Sequence, residues 1–280
     1  AKFIHDIEEA ARELKPKFIA LAGSPIPFMN GTDFPAIAQV IETETGIPAF
    51  AIPTNGMHDY TYGAGIALAR IAERFVEERQ IRPHTLNILG ATPLDFGPQE
   101  NVDAMKQKIA QYGWEVLSTW AMGDSLETLS LAGAAEVNLV VSSVGIPAAK
   151  VLEEKFGTPY IIGTPIGEFA EELVQELRGS EEITLIGEAV TMRSLASEIE
   201  KKYHRAVRVI CPLETHEGLL GENDRVSRGE EEMEELLKDS RIIVADPLYR
   251  PICPKGSQFY ELPHVAFSGR IFLKKYKKIY

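Results

Sequence analysis

The sequence predicts an α/β protein with parallel β-sheets flanked by helices. Short apolar runs alternate with amphipathic helical segments, which is the pattern of repeated strand–helix–strand units. A polar break at residues 178–180 (RGS) precedes the last of three such cycles. With 280 residues, the chain has room for two domains or three small ones. We therefore expect three Rossmann-like domains of the doubly wound kind, with right-handed crossovers.

The first expected domain, residues 1–82, has only two strand patterns. Its elements are a helix at 3–14, a strand at 17–22 (KFIALA), a helix at 33–45, a strand at 48–53 (PAFAIP) and a helix at 62–78. Gly46 ends the second of these helices. Because a doubly wound unit has more strands than two, this domain is expected to be incomplete.

The second and third expected domains, residues 83–179 and 180–280, repeat the alternation more fully. Strands are predicted at 86–89, 114–119, 136–141, 159–162, 183–186, 207–210 and 242–245. Helices are predicted at 99–111, from 124 onward with a capping-box pattern, and at 147–156, 191–202 and 230–238. The chain ends in a basic segment at 274–278.

Composition and charge exclude several classes of protein. The net charge of −12 argues against nucleic acid and anionic membranes as partners, because both attract basic surfaces. There is no apolar run long enough to span a membrane and no signal-peptide pattern, so we expect a cytoplasmic protein. The two cysteines, Cys211 and Cys253, cannot supply the four thiolates that a cubane iron–sulfur cluster usually needs.

Long loops follow several predicted strands, where ligands bind in open α/β sheets. The stretches GSPIPFMNGTDF, PTNGMHDYTYG and GATPLDFG are longer than the roughly 2–6 residues that a simple connection needs. A P-loop and a GxSxG elbow are absent from the sequence. Gly63 and Gly65 resemble part of a dinucleotide fingerprint, but close helix packing explains them better because Leu68 takes the third glycine position.

Other polar positions have both a functional and a structural interpretation. Residues 142–145 (SSVG) end a strand, and their amides could bind an anion; the alternative is N-capping by Ser143. Cys211, His216 and Cys253 could ligate zinc or iron; the alternative is that both thiols are buried small apolar groups. A solvated turn explains residues 58–60 (HDY), and a hydrogen-bonded core or interface position explains His264.

Three stretches together resemble one known family. They are GSPIPFMNGTDFPAIAQVIETETGIPAFAIPTNGMHDYTYGAG, NILGATPLDFG and TWAMGDSLETLSLAGAAEVNLVVSSVG. Their order and spacing are similar to those of the component-1 family of nitrogenase-like oxidoreductases. The resemblance covers most of the chain and is strongest over residues 17–167.

This resemblance implies a fold, cofactors and partners. The fold would be three α/β domains around a central cleft that holds a metallocluster or a tetrapyrrole. An iron–sulfur cluster or another metallocofactor is therefore the expected cofactor. The expected partners are a homologous or identical component-1 subunit and an ATP-dependent iron–sulfur reductase.

The resemblance also assigns roles to residues. Ser24 and Ser142 stand where the family pattern carries cluster or cofactor cysteines, and serine is a poor iron ligand. Cys211 or Cys253 would then face the cleft as metal ligand. Asp33 would donate a proton if burial raised its pKa. The other residues expected to line the cofactor site are Thr32, Thr54, Asn55, Gly56 and Ser143.

Two alternatives to a redox enzyme remain at this point. A non-catalytic scaffold or carrier of the same fold would explain the two serines directly. A glycosyltransferase-like or other nucleotide-binding enzyme has only the analogy of fold in its favour, since the acidic chain shows no diphosphate clamp.

Overall fold

The computed structural model describes residues 2–177, 179–272 and 274, and it confirms the α/β class. The strands form three sheets of two, four and five strands, and every pairing among these residues is parallel. None of the helices in this part of the chain is both long and apolar enough to cross a bilayer. Of the predicted basic segment, residues 275–278 lie outside the described residues. The domain boundaries at 82 and 179 stay a proposal.

The first sheet pairs β1 with β2. Its elements in chain order are α1 (Lys2–Leu14), β1 (Ile19–Ala22), α2 (Pro25–Met29), α3 (Phe34–Thr45), β2 (Ala49–Ile52) and α4 (Tyr60–Phe75). Asp33 caps α3 by accepting the Ala36 amide, and Gly46 ends that helix in the left-handed conformation. The sequence did not predict α2, because a five-residue helix is too short to show periodicity.

The second sheet has the strand order β4-β3-β5-β6. Its elements are β3 (Arg82–Leu89), α5 (Pro93–Phe96), α6 (Gln99–Gln111), β4 (Glu115–Thr119), α7 (Leu126–Ser130), β5 (Ala135–Val140), α8 (Ile146–Phe156), β6 (Tyr160–Ile162) and α9 (Gly167–Glu176). From β3 the chain moves to β4 on one side, and from β5 it moves to β6 on the other. The topological switch point of this sheet therefore lies between β3 and β5.

The third sheet has the order β11-β10-β7-β8-β9. Its elements are β7 (Ile183–Ile186), α10 (Ala189–Tyr203), β8 (Val207–Cys211), β9 (Arg225–Val226), α11 (Glu230–Leu237), β10 (Ile242–Ala245), β11 (Gln258–Glu261) and α12 (Val265–Ser268). The chain reverses direction across the sheet between β7 and β10, which is its switch point. The sequence missed α9, β9 and β11, of which the two strands are only two and four residues long.

The apolar strand runs are buried on both faces of the two larger sheets. In β7, Ile183 and Leu185 belong to one apolar cluster, whereas Ile186 belongs to the cluster on the opposite face. The first unit joins the second through α4 and α8, where a side chain at Gly65 would come within 3.0 Å of Pro147 Cγ. Gly65 thus serves close packing between α4 and α8.

Candidate functional site

The switch points of the two larger sheets lie directly against each other. β3 is followed by Thr92 and Asp95, β5 by Ser143, and β7 by Glu188. The Ser143 amide donates to Glu188 Oε1 over 2.9 Å, and the Ser143 hydroxyl donates to the same oxygen, so two hydrogen bonds join the two sheets at this point. Ligands of open α/β sheets bind at such positions, which makes this region the candidate site.

Glu188 is completely buried and caps the N-terminus of α10. Its carboxylate accepts the amides of Val190 (3.1 Å) and Thr191 (2.9 Å), and also the amide and hydroxyl of Ser143. Burial raises the pKa of Glu188, and the nearby charge of Asp95 raises it further. The anion predicted for residues 142–145 is thus the chain's own carboxylate, and the Ser143 hydroxyl binds Glu188 instead of capping a helix.

Asp95 gathers side chains from all three units. Tyr60, at the start of α4, donates its hydroxyl to Asp95 Oδ1, and the Thr92 hydroxyl donates to Oδ2 over 2.8 Å. His264 Nε2 lies 3.5 Å from Asp95 Oδ1. Burial, and after it the charge of Asp95, raises the pKa of Tyr60, so the phenol stays neutral and donates. The predicted solvated turn at residues 58–60 is therefore wrong for Tyr60, which belongs to a buried network.

A cavity of ≈ 920 Å³ opens beside this network, between residues 58–66 and 212–228. The rings of His58 and Tyr62 stack with centroids 4.0 Å apart at 25°. The apolar side chains around it are Ile66, Pro147, Pro212, Leu213 and Val226. A stacked ring pair together with apolar walls suits a large planar ligand.

Glu214 ties the first unit to the third at the edge of this cavity. Its carboxylate lies 3.0 Å from His58 Nδ1, and its amide donates to Asp59 Oδ2 over 2.6 Å. The Thr61 hydroxyl donates to the Glu214 carbonyl over 3.0 Å. Asp59 also caps α4 through the Thr61 amide. These contacts hold residues 58–61 and 212–216 in one fixed arrangement.

Two polar side chains of the cavity wall, His216 and Thr215, could interact with a ligand. His216 is half-buried, and burial, followed by the charge of Lys150, lowers its pKa. The imidazole is therefore neutral at neutral pH. The buried Thr215 hydroxyl makes no hydrogen bond to the described residues. Buried polar atoms are usually satisfied, so this hydroxyl fits a wall that contacts a ligand.

The structure places both predicted thiol ligands in apolar surroundings. Cys211 is buried, its thiol faces the Leu213 carbonyl, and burial raises its pKa to about 12. Cys253 packs beside the apolar cluster under β10, its thiol faces the Tyr249 carbonyl, and burial raises its pKa to about 11. Both thiols are therefore protonated at neutral pH. The described residues contain no group of three or more His, Cys, Asp or Glu placed to hold a metal ion.

Most of the other predicted site residues meet at an outer corner, at the ends of β1 and β2. The Thr54 hydroxyl donates to the Gly23 carbonyl over 2.9 Å, and Asn55 accepts the Met57 amide. Gly56 lies so close to Pro25 that a Cβ would come within 2.5 Å of its ring.

Three predicted residues at this corner are exposed: Ser24, Thr32 and Asp33. Asp33 is occupied as the cap of α3 and lacks the burial that a proton-donor role requires. Ser142 lies elsewhere; it is buried, and its hydroxyl donates to the Gly90 carbonyl over 2.7 Å.

The family model of the nitrogenase component 1 type oxidoreductases matches residues 1–206. The chain belongs to this family. The relationship agrees with the resemblance of the loop sequences and with the three parallel sheets.

Individual relatives match shorter parts of the chain. One subunit of the light-independent protochlorophyllide reductase of Nostoc punctiforme is 35% identical over 103 residues, 36% of this chain and 20% of that protein. The nitrogenase iron-molybdenum cofactor biosynthesis protein NifE of Klebsiella pneumoniae is 22% identical over 180 residues, 59% of this chain and 38% of that protein. The chain thus spans less than half of these curated relatives.

Solved structures show the same fold. Nitrogenase Cp1 at pH 6.5 superposes with a TM-score of 0.64 and 16% identity, over 98% of this chain and 77% of that chain. At this identity the likeness shows the fold.

The residues of this component-1-type chain do not fit a cluster held by its own thiolates. Ser24 and Ser142 stand where the resemblance predicts thiols, and the Ser142 hydroxyl donates to the Gly90 carbonyl. Cys211 and Cys253 point their protonated sulfurs at backbone carbonyls. Their role as metal ligands stays a prediction that this geometry does not favour.

Sequence reasoning missed the charged centre of the site. Glu188 and Asp95 each follow a predicted strand, where functional residues of α/β sheets commonly lie. This position in the sequence could have indicated them as site residues. Glu214 lies in the loop already noted for Cys211 and His216, but nothing local indicates that it contacts residues 58–61.

Proposed function

We propose that this chain is the ligand-binding subunit of a nitrogenase-like oxidoreductase and takes a tetrapyrrole-type molecule. The ligand would bind in the ≈ 920 Å³ cavity between residues 58–66 and 212–228. The observation that carries the proposal is this cavity, which combines apolar walls with the stacked rings of His58 and Tyr62. The similarity to a protochlorophyllide reductase supports the choice of ligand class.

In this proposal, electrons come from an ATP-dependent iron–sulfur reductase, and a homologous or identical subunit pairs with the chain. Family membership supports both partners. The outer corner adds an observation, because Ile26, Phe28, Met29 and Met57 are all exposed around Ser24. An apolar surface of this kind commonly marks a protein interface.

A non-catalytic scaffold or carrier is the second candidate. The positions of Cys211 and Cys253 favour it, because a subunit that only holds its ligand needs no cluster thiolates. The two candidates share the cavity and differ in turnover.

Binding of protoporphyrin IX, followed by its absorbance and fluorescence, tests the shared part. We expect saturable binding of one molecule per chain and marked weakening in Tyr62→Ala. Tyr112→Ala is the matched control, since Tyr112 lines a separate cavity of ≈ 690 Å³ with Trp114 and Ile161. Unchanged binding in Tyr62→Ala, or loss only in Tyr112→Ala, would contradict the proposed site.

Turnover separates the two candidates. The purified chain with bound tetrapyrrole is incubated anaerobically with ATP and an iron–sulfur reductase of the component-2 type, and the absorption spectrum is followed. ATP-dependent reduction of the macrocycle supports the oxidoreductase. Stable binding without reduction, in a preparation free of iron and sulfide, supports the carrier.

A further inference from the structure

We propose that Arg228 binds a carboxylate side chain of the tetrapyrrole, so that this cavity selects ligands with free acid groups over their esters. The inference rests on the proposed function and adds to it a residue that determines specificity. It involves an ion pair with hydrogen bonds and no covalent step.

The backbone of Arg228 is held in place at the edge of the cavity. Arg228 lines the cavity just after β9, whose Val226 pairs with Cys211 of β8. The Ser227 amide donates to the Cys211 carbonyl over 2.9 Å, and the Arg228 amide donates to Glu232 Oε2 over 2.8 Å. Because the backbone is already fixed, ligand binding has only the exposed side chain of Arg228 to order.

The guanidinium of Arg228 is free to take a ligand. Among the residues that the structure describes, none accepts a hydrogen bond from it or pairs with it. The carboxylates at the cavity are engaged elsewhere: Glu214 pairs with His58, and Asp59 accepts two amides and a hydroxyl. An anionic group of the ligand would therefore meet a cation that has no competing partner in this part of the chain.

A carboxylate is the anionic group that fits this arrangement. A guanidinium is a planar fork whose N–H groups bind both oxygens of a carboxylate. Tetrapyrroles carry such acid groups on short chains at the rim of an apolar macrocycle. The macrocycle would lie against the stacked rings of His58 and Tyr62, and an acid group would reach Arg228 at the edge. The unpartnered Thr215 hydroxyl supplies a further donor in the same wall.

Two probes with the same macrocycle test the inference. The purified chain is titrated with protoporphyrin IX and with its dimethyl ester, and binding is followed by fluorescence. We expect the free acid to bind about 5- to 20-fold more tightly, as a charge-assisted contact at a partly exposed position allows. Arg228→Ala should lose this preference and bind the ester as the wild type does. Arg228→Lys, which keeps the charge without the fork, should retain part of it.

Two other cations serve as controls. Arg241 is also exposed, but it precedes β10 and so lies at the opposite end of the strands from the cavity. Arg241→Ala removes the same charge and should keep the full preference. Lys150 on α8 is close enough to His216 for its charge to lower the pKa of that ring, so Lys150→Ala tests a nearer cation and should keep most of the preference. Circular dichroism should show the same thermal unfolding for all these variants.

The outcomes separate the inference from the proposed function. Equal binding of acid and ester by the wild type, or a preference that persists in Arg228→Ala, would overturn the inference and leave the proposed function standing. A preference lost equally in Arg241→Ala, or lost more in Lys150→Ala than in Arg228→Ala, would also overturn it, since the contact would not belong to Arg228. Binding of neither probe would overturn both.

Discussion

Replacing Glu188 by alanine should destabilise the protein strongly, because this one carboxylate serves donors on two sheets. It accepts the amides of Val190 and Thr191 at the start of α10 and the amide and hydroxyl of Ser143 after β5. Both Glu188 and Ser143 are buried, so water does not reach these amides in the wild type. The substitution leaves three backbone amides without an acceptor.

The expected magnitude follows from these three amides. Each orphaned buried donor costs about 1–3 kcal/mol, so Glu188→Ala should cost about 3–9 kcal/mol. We expect the lower half of this range, since water can enter the polar space that the carboxylate leaves. Glu188→Gln keeps Oε1 and loses only the acceptor of the Thr191 amide, so its cost should be about 1–3 kcal/mol.

The pH dependence gives a second, independent readout. The pKa of Glu188 is raised in the folded protein, so the folded state holds this proton more tightly than the unfolded chain. Its contribution to stability is present below the unfolded value of about 4.3 and is lost as the pH rises through the folded pKa. Glutamine does not titrate, so the deficit of Glu188→Gln should shrink as the pH rises through this window.

Urea unfolding at several pH values, followed by circular dichroism, measures both effects. Glu172→Gln, an exposed position on α9, is the control and should stay within about 0.5 kcal/mol of wild type. The reasoning is refuted if Glu188→Ala is as stable as this control, or if the deficit of Glu188→Gln grows with pH.

Further predictions concern the outer corner and the two thiols. Gly56→Ala should lower the free energy of unfolding by about 1–2 kcal/mol because of its positive φ, and by more because the new methyl group would contact Pro25. Gly31 also has a positive φ but faces open space, so Gly31→Ala should show only the cost of the backbone conformation in thermal unfolding. Equal losses would argue against the close contact. At pH 8 a thiol reagent should modify Cys253 slowly and Cys211 only after unfolding, because burial raises both pKa values and Cys211 is the more buried. Rapid modification of Cys211 in the native protein would contradict its placement.

The elements were predictable where the sequence carries a local signal. The apolar run at 183–186 became β7 with the predicted bounds, and Gly46 and Gly157 end helices in the left-handed conformation. Short apolar runs indicate buried parallel strands because both faces of such strands lie in the core. The five-residue α2 and the two-residue β9 lack enough residues to show a period, so they were not predicted.

The centre of the site was not predictable, because its contacts join distant parts of the chain. Glu188 bonds a residue 45 positions away, Tyr60 bonds one 35 away, and Glu214 contacts one 156 away. A glutamate after a strand has the same local sequence whether it caps a helix or also joins two sheets. Only the relative placement of the two switch points distinguishes these cases, and that placement depends on packing over the whole chain.

The structure gives a physical reason for serine at position 142, one of the two positions where a cysteine was expected. Ser142 donates to the Gly90 carbonyl, and a Cβ on Gly90 would meet its hydroxyl at 2.8 Å, so this turn is tightly packed. A thiol there would be larger and a weaker donor, and the negative charge of Glu188, which bonds the adjacent Ser143, would disfavour a thiolate. The centre thus contains hydroxyl–carboxylate bonds, from Ser143 to Glu188 and from Thr92 to Asp95. A serine at position 142 is therefore compatible with the buried carboxylate of Glu188, whereas a thiolate there would meet an unfavourable charge.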